Sequence, residues 1–326
     1  MVRGPKMAVL MVVVVATVSM VRGSLAAGTN PSIARTASIP LTSADTRQTA
    51  IESTLQTILS TMQENHNQLQ SSVREVMRVA RRTQRELTEL REDTDLILGQ
   101  MYKPSCQEVA EDLHDGTRGR TNEAIVGVYT IKPPKYKPTQ VRCELGRGAV
   151  GWTVILSRSN GRERFNRTYR EYQEGFGDPS DEYYIGNEPL HRLTTWRSHQ
   201  LRVVMEDFDG QKAWVQYKIF RVAGPEDNYQ LTVDEFEADS AAGDGLKIHN
   251  GMKFSTYDKD DDDNKDGNCS QLFGGGGGWW FTNCYHVLPT GRYRSVGGNE
   301  YGGLAWYPWR NVKHSLKAMT LLIRTH

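Results

Sequence analysis

The residues best suited to chemistry form a dense run of carboxylates from Asp258 to Gly267, in which six Asp stand against two Lys. Such a density repels itself unless a cation lies among the side chains. Carboxylates at alternating positions, followed by backbone carbonyls near a glycine, suit Ca²⁺, which takes about six to eight hard oxygen ligands. The run therefore predicts a calcium loop, with a solvated acidic loop as the alternative.

An EF-hand is the first calcium motif to compare with this run. The match begins at Asp262 and holds as far as Gly267. The position that should supply a bidentate Glu is Phe273, and no helical patterns flank the segment, so we exclude an EF-hand.

Five glycines, Gly274–Gly278, follow the acidic run and lead into a cluster of aromatic residues. No Lys-Ser or Lys-Thr pair follows them, which excludes a phosphate-binding loop, and we expect a flexible tip. The cluster comprises Phe273, Trp279, Trp280, Phe281, Tyr285, Tyr301, Trp306 and Trp309. Its members could form core or pocket wall, and we expect the tryptophans in the core because their size favours burial.

Enzyme motifs are absent from the chain. It contains no His-Glu-x-x-His, no Gly-x-Ser-x-Gly and no Cys-x-x-Cys sequence, and none of its eight His is spaced with acids or thiols as a ligand set. We therefore assign no catalytic residue and expect a binding protein. The near-neutral net charge of +1 gives no electrostatic case for a nucleic-acid partner.

The four cysteines are Cys106, Cys143, Cys269 and Cys284. Pairing the first with the second and the third with the fourth closes two short loops, although two other connectivities remain open. Asn166 begins an Asn-Arg-Thr sequon, which predicts a glycosylated surface loop.

The elements that must hold these residues change in character along the chain. Residues 49–102 contain no Pro, and their apolar residues recur every three or four positions, which predicts a helical coiled coil. The seam consists of Ile51, Leu55, Ile58, Met62, Leu69, Val73, Val76, Ala80, Leu87, Leu90 and Ile97. Because no cysteine remains to link subunits, we expect a non-covalent homo-oligomer. A single amphipathic helix packed on a domain is the alternative.

Within this coil lies an arginine cluster of Arg78, Arg81, Arg82 and Arg85. We interpret it as the solvated flank of the coil. A polyanion patch, or a proprotease site after Arg81 or Arg82, is the alternative.

From residue 103 to residue 326 short β-rich runs alternate with Gly, Asn and Asp, and all seven Trp fall there. The predicted strands are Val128–Ile131, Gly151–Leu156, Gln200–Met205, Ala213–Val222 and Ser315–Arg324. We expect one large domain with a mixed, mainly antiparallel sheet and much loop, so the whole chain is of the α+β class.

The amino-terminal segment predicts export from the cell. Residues 1–27 combine basic residues, the apolar run Met7–Val21 and small residues near Ala27, as in a cleaved signal peptide. The apolar run is shorter than the ~20 residues that cross a bilayer, so we expect no membrane insertion. Residues 28–48, rich in Ser, Thr and Ala, predict a linker.

Several runs within 106–326 together resemble the fibrinogen C-terminal domain of ficolins, tachylectins, tenascins and angiopoietins. They are Gly127–Ile131, Gly151–Ile155, Gly175–Gly177, Gly186–His191, Lys253–Asp258, Gly278–Phe281, Asn283-Cys284 and His314–Lys317. The resemblance covers about two-thirds of the chain. It implies a Ca²⁺ site formed by the side chains of Asp260 and Asp262 and the carbonyls of Asn264 and Asp266.

The resemblance also implies an acetyl-binding pocket beside that loop. Its donors would be backbone N–H groups around a cis peptide between Asn283 and Cys284. Its walls would be Phe273, Tyr285 and Tyr301, with Tyr285 standing where acetyl-binding members usually carry His.

These features together predict a secreted, extracellular, oligomeric protein with a Ca²⁺-dependent recognition domain. Lectin-like recognition of acetylated or other glycans in innate immunity is the main hypothesis. A receptor ligand of the angiopoietin-like kind, or a matrix protein that binds a cell-surface protein, is the alternative.

Overall fold

The computed structural model describes residues 44–116, 125–238, 242–273, 275–296, 298 and 300–326. The predicted signal peptide 1–27 lies outside these residues, as does most of the predicted linker 28–48. No helix in the described ranges is both long enough and apolar enough to cross a membrane. The chain divides into two units between Gln84 and Arg85.

A single helix, α1, runs from Ala44 to Met101. The helix thus begins five residues before the coiled coil that the sequence predicts from residue 49. Ala44, Arg47 and Gln48 are good helix formers, so this end of the segment can join the helix that follows it. The large apolar side chains of the seam, from Ile51 to Ile97, are between 45% and 63% exposed. A single copy of the chain therefore leaves the seam uncovered.

The second unit is built on a nine-stranded sheet. Its strands are β1 Ile125–Ile131, β2 Thr139–Gly146, β3 Val150–Arg158, β4 Phe176–Gly177, β5 Tyr183–Tyr184, β6 His199–Glu206, β7 Lys212–Val222, β8 Leu231–Ala238 and β11 Ala318–Thr325. The main path is β1-β2-β3-β11-β6-β7-β8, and its pairings in the described ranges are antiparallel. Strand β11 thus lies between β3 and β6, although it comes last of the strands in sequence.

Strand β3 forms where β-branched and aromatic residues follow one another, and nearly all of it is buried. Helix α2, Cys106–Gly116, packs over it. The Cys106 N–H donates to the Thr153 hydroxyl at 3.2 Å. A Cβ atom at Gly151 would lie 2.0 Å from the Cys106 carbonyl oxygen, so only glycine allows this close approach.

Two disulfides stabilise the second unit. Cys106 is bonded to Cys143 of β2, and Cys269 is bonded to Cys284, each pair with Cα atoms 5.5 Å apart. This is the connectivity that closes two short loops.

Residues 242–316 contain little regular structure. Among the described residues of this range, the elements are a 3-10 helix Lys247–His249, the helix α5 Cys269–Leu272 and the paired strands β9 Val287–Leu288 and β10 Ala305–Trp306. The remaining helices of this unit, α3 Tyr169–Glu174 and α4 Asn187–Trp196, precede this region. The tryptophan prediction is confirmed for Trp279, Trp280 and Trp306, which are at most 2% exposed, whereas Trp309 is only partly buried and packs against the core from outside. The Trp280 indole donates to the Tyr229 carbonyl at 2.7 Å, so its one polar atom is satisfied.

Candidate functional site

The acidic run forms a loop that is closed at its base by backbone hydrogen bonds. The Thr256 N–H donates to the Lys259 carbonyl at 2.8 Å. Asp258 accepts from the Tyr169 N–H at 2.9 Å and from the Thr256 hydroxyl at 2.7 Å, which ties the loop to the start of α3. The carboxylate of Asp258 is thus engaged in holding the loop.

Asp260 and Asp262 are the two carboxylates predicted to bind a cation. Asp260 accepts the Asp262 N–H at 3.3 Å, while Asp262 accepts the N–H groups of Asn264 at 2.9 Å and Cys269 at 2.8 Å. Partial burial raises the pKa of Asp262, and the nearby charge of Asp260 raises it further against the opposing effect of the backbone donors. The pair therefore carries a charge that its surroundings do not neutralise.

No Lys or Arg pairs with Asp260 or Asp262 among the described residues; the ion pair in the loop joins Lys259 to Asp261 at 3.4 Å. In the same ranges no three His, Cys, Asp or Glu side chains come together as a metal set. A cation here would have to draw on backbone oxygens as well. The carbonyls of Asn264 and Asp266 accept no hydrogen bond from any described residue, which leaves both available.

This donor set of two carboxylates and free carbonyls is hard and oxygen-only, which fits Ca²⁺ and not a softer metal. A bound Ca²⁺ would supply the missing positive charge. The four predicted ligands are Asp260, Asp262, Asn264 and Asp266.

The acidic loop is joined directly to the predicted pocket. Asn264 donates from its side-chain amide to the Gly267 carbonyl at 2.8 Å, next to the Cys269–Cys284 disulfide. The peptide bond between Asn283 and Cys284 is cis. The Asn283 side chain is exposed, so this turn faces solvent beside the loop.

Two of the predicted wall residues form an exposed aromatic pair. The rings of Phe273 and Tyr301 meet edge to face with centroids 5.7 Å apart, and the residues are 39% and 50% exposed. The Lys313 ammonium lies 4.8 Å from the Tyr301 ring centroid. An exposed aromatic pair with a cation beside it can contact a ligand by stacking.

The third wall residue, Tyr285, is buried. Its hydroxyl accepts the Gly302 N–H at 2.9 Å, and its ring packs on Phe281 at 6.3 Å between centroids. Burial raises the pKa of this hydroxyl. Tyr285 thus fixes the segment that carries Tyr301 and presents little of its own surface.

Sequence reasoning missed His249, which holds the pocket segment from behind. Its Nδ1 atom lies 2.7 Å from the Trp280 carbonyl oxygen, and its Nε2 atom accepts the N–H groups of His286 at 3.2 Å and Val287 at 3.1 Å. The ring is therefore neutral with its proton on Nδ1. Burial lowers the pKa of His249 to about 4, so it stays neutral at physiological pH.

A surface cavity of about 650 Å³ lies at the glycine run. It is lined by Asn166, Tyr257, Gln271, Gly275, Gly276 and Arg292. The expectation of a flexible tip was wrong for the described glycines. Gly277 pairs with Asn166 as an antiparallel bridge, and a Cβ there would lie 2.2 Å from the Thr290 carbonyl oxygen. The predicted glycosylation site therefore stands at the rim of this cavity.

Comparison with known proteins agrees with this architecture. The family described as fibrinogen beta and gamma chains, C-terminal globular domain, matches residues 110–326. Chicken tenascin is 37% identical over 62% of this chain and 11% of its own length. Human ficolin-3 is 34% identical over 61% of this chain and 66% of its own length. This chain thus spans about a tenth of that tenascin and just under two-thirds of that ficolin.

Solved structures show the same fold. The fibrinogen-like globe domain of human ANGPTL6 matches with a TM-score of 0.61 and 32% identity, over 69% of this chain and 96% of that domain. Lamprey fibrin D-dimer, complexed with the peptide ligand Gly-His-Arg-Pro-amide, matches with a TM-score of 0.59 and 26% identity, over 85% of this chain and 94% of that one.

Proposed function

The chain belongs to the family of the fibrinogen C-terminal globular domain, whose members bind ligands, and we propose that it is a secreted recognition protein with a Ca²⁺-dependent glycan site. The relatives are extracellular proteins, which supports secretion. The observation that carries the proposal is the pair of Asp260 and Asp262, which no Lys or Arg of the described residues compensates and which is linked through Cys269 to the exposed ring of Phe273.

Calcium would act by ordering the loop. The carboxylates of Asp260 and Asp262 repel each other when no cation is present, and a bound Ca²⁺ turns that repulsion into attraction. Through the Cys269 N–H, which donates to Asp262, the ordered loop would fix the disulfide and the neighbouring pocket.

The glycan assignment is supported by the chemistry of the exposed surface. Sugar rings have apolar faces that pack on aromatic side chains, and polar edges that need donors and acceptors. Phe273 and Tyr301 supply the aromatic surface for the apolar faces, and the exposed turn around Asn283 supplies donors and acceptors for the polar edges.

A glycan array probed with the purified chain tests this proposal. Binding to acetylated or other glycans in Ca²⁺, lost in EDTA and weakened at least tenfold by Tyr301→Ala, would support it. Tyr307→Ala is the matched control, because Tyr307 is equally exposed but its ring packs on His286 and not on Phe273. An array without any bound glycan would overturn the assignment.

A protein ligand is the second candidate. It is favoured by the burial of Tyr285, which closes part of the predicted acetyl pocket, and by the peptide in the lamprey fibrin structure. Angiopoietin-like domains are also among the similar structures. Capture of a cell-surface protein that persists after deglycosylation of that protein would favour this candidate over the glycan.

We also propose that α1 forms a homo-oligomer through its apolar seam. Residues such as Leu55 and Leu69 are 52% and 60% exposed, and water would contact this stripe along a helix of 58 residues unless another copy covered it. Several recognition domains on one coil would then bind a surface with higher avidity than a single domain.

A further inference from the structure

One stretch of α1 is strongly basic and almost free of carboxylates. Between Asn65 and Gln84 the sole acidic residue is Glu75. The same stretch contains four exposed arginines, here named the arginine stripe: Arg74, Arg78, Arg81 and Arg82. Since the net charge of the whole chain is only +1, this positive potential is local.

The stripe lies away from the apolar seam. At ~100° of rotation per residue, the mean direction of the four arginines is roughly 150° from that of Val73, Val76 and Ala80. At ~1.5 Å of rise per residue, the stripe is about 12 Å long. Pairing of helices through the seam would therefore leave every copy of the stripe facing solvent.

Two of the contacts that the stripe makes, those of Arg78 and Arg74, are weak. Arg78 pairs with Glu75 at 3.0 Å, with side chains that are 77% and 55% exposed, and such pairs contribute little. The Arg74 side chain donates to the Gln70 carbonyl one turn back at 3.3 Å. A multivalent anion can replace both contacts at little cost.

We propose that the arginine stripe binds a sulfated glycosaminoglycan. Guanidinium groups present paired N–H donors that match sulfate oxygens, and a row of them matches a chain that carries regularly spaced sulfates. The extracellular setting of the family favours a sulfated polysaccharide over a nucleic acid. The avidity of this contact rests on the proposed homo-oligomer, which multiplies the stripe.

Heparin affinity chromatography of the full chain, with NaCl elution, tests the proposal. Replacement of all four arginines by Gln should abolish retention at 0.15 M NaCl, about physiological ionic strength, whereas replacement by Lys should keep most of it. A control variant loses four exposed arginines of the second unit instead: Arg164, Arg170, Arg221 and Arg292. It should elute close to the unmodified chain.

Three results would overturn the proposal. They are equal retention of the Gln variant and the unmodified chain, equal loss in the control variant, and tighter binding of duplex DNA or anionic vesicles than of heparin at the same salt. Light scattering of each variant reports the oligomer separately. If the unmodified chain is a monomer and its heparin retention still depends on the stripe, only the proposed oligomer is refuted. If the chain is an oligomer and its heparin retention does not depend on the stripe, only the proposed heparin site is refuted.

Discussion

The Oδ2 atom of Asp262 accepts the backbone N–H of Cys269 at 2.8 Å. A predicted cation ligand is thereby hydrogen-bonded to one half of the disulfide whose other half, Cys284, follows the cis peptide of the pocket. Loop and pocket are therefore neighbours in the covalent structure as well as in space, and a change in one should be measurable in the other.

Calcium should stabilise the unmodified chain and not Asp260→Ala. A ligand that binds only the folded state raises the free energy of unfolding, by about 2.7 kcal/mol at a hundredfold excess over Kd. Melting temperatures in Ca²⁺ and in EDTA measure the effect. Asp263→Ala is the control, since it removes the same charge from an exposed position of the same loop and should keep the calcium shift.

Stability should fall as the pH drops from 6.5 towards 4, in part through His249. Burial lowers its folded pKa to about 4 from the ordinary 6.5, so in this window the unfolded chain binds a proton that the folded chain does not. The slope for one such group approaches about 1.4 kcal/mol per pH unit. His286 faces the ring and disfavours its protonation further.

Because burial also lowers the pKa of His199 to about 4, two variants are needed to separate the contributions. Urea unfolding between pH 4 and 7 measures the free energy of unfolding of His249→Gln and His199→Gln. In each variant this free energy should depend less steeply on pH than in the unmodified chain. An unchanged slope in His249→Gln would show that this ring does not titrate as described.

Arg158→Met should cost about 3–5 kcal/mol of unfolding free energy. Arg158 and Glu182 are each 1% exposed, and the guanidinium donates to the carbonyls of Pro289 at 2.9 Å and Gly291 at 2.8 Å. Its removal leaves a buried carboxylate and two unpaired carbonyls. Urea unfolding measures the loss, and Arg170→Met, which breaks an exposed pair with Glu174, should cost less than about 1 kcal/mol.

Ile58→Asp should reduce the oligomer to a monomer, because it places a charge in the apolar seam. Leu59→Asp is the matched control: Leu59 is 64% exposed against 49% for Ile58, but it lies outside the seam. Light scattering at several protein concentrations distinguishes the two. Equal masses for both variants would contradict the predicted seam.

Thr168→Ala should remove both a glycan and a helix cap, whereas Asn166→Gln should remove the glycan alone. Thr168 completes the sequon and also caps α3, where its hydroxyl accepts the Glu171 N–H at 3.3 Å. Both variants should lose a glycan by mass spectrometry, but only Thr168→Ala should lose about 1 kcal/mol of stability. Thr168→Ser should keep both properties, and a glycan retained in Asn166→Gln would place modification elsewhere.

The sequence predicted those strands whose own residues favour the extended conformation, without help from contacts with distant parts of the chain. β3, β6 and β7 were placed within a few residues because β-branched and aromatic side chains follow one another there. Helix α4 was missed: it contains Pro189 and two threonines, and it is held by contacts with β7 that sequence alone does not reveal. The Nδ1 atom of its His191 donates to the Val222 carbonyl oxygen at 3.0 Å, which is a structural role.

Only part of the candidate site could be predicted, because some of its contacts form between residues that are distant in sequence. The acidic run is visible in composition and spacing, whereas Phe273 and Tyr301 were indicated as pocket walls by the resemblance to the fibrinogen C-terminal domain. The role of His249 is not visible in the sequence, because it depends on backbone groups of residues 280, 286 and 287 that converge only in the folded chain. Likewise nothing in the sequence shows that Gly276 and Gly277 pack against Asn166.

The central position of β11 affects how the protein is made in the cell. Both neighbours of β11 are synthesised more than a hundred residues earlier, and neither has its partner until Ala318–Thr325 has left the ribosome. A nascent chain interrupted before that point would expose two unpaired strand edges. Chaperones would have to shield those edges during translation, and a premature stop codon upstream of Ala318 should yield a product that quality control degrades instead of a shortened binding domain.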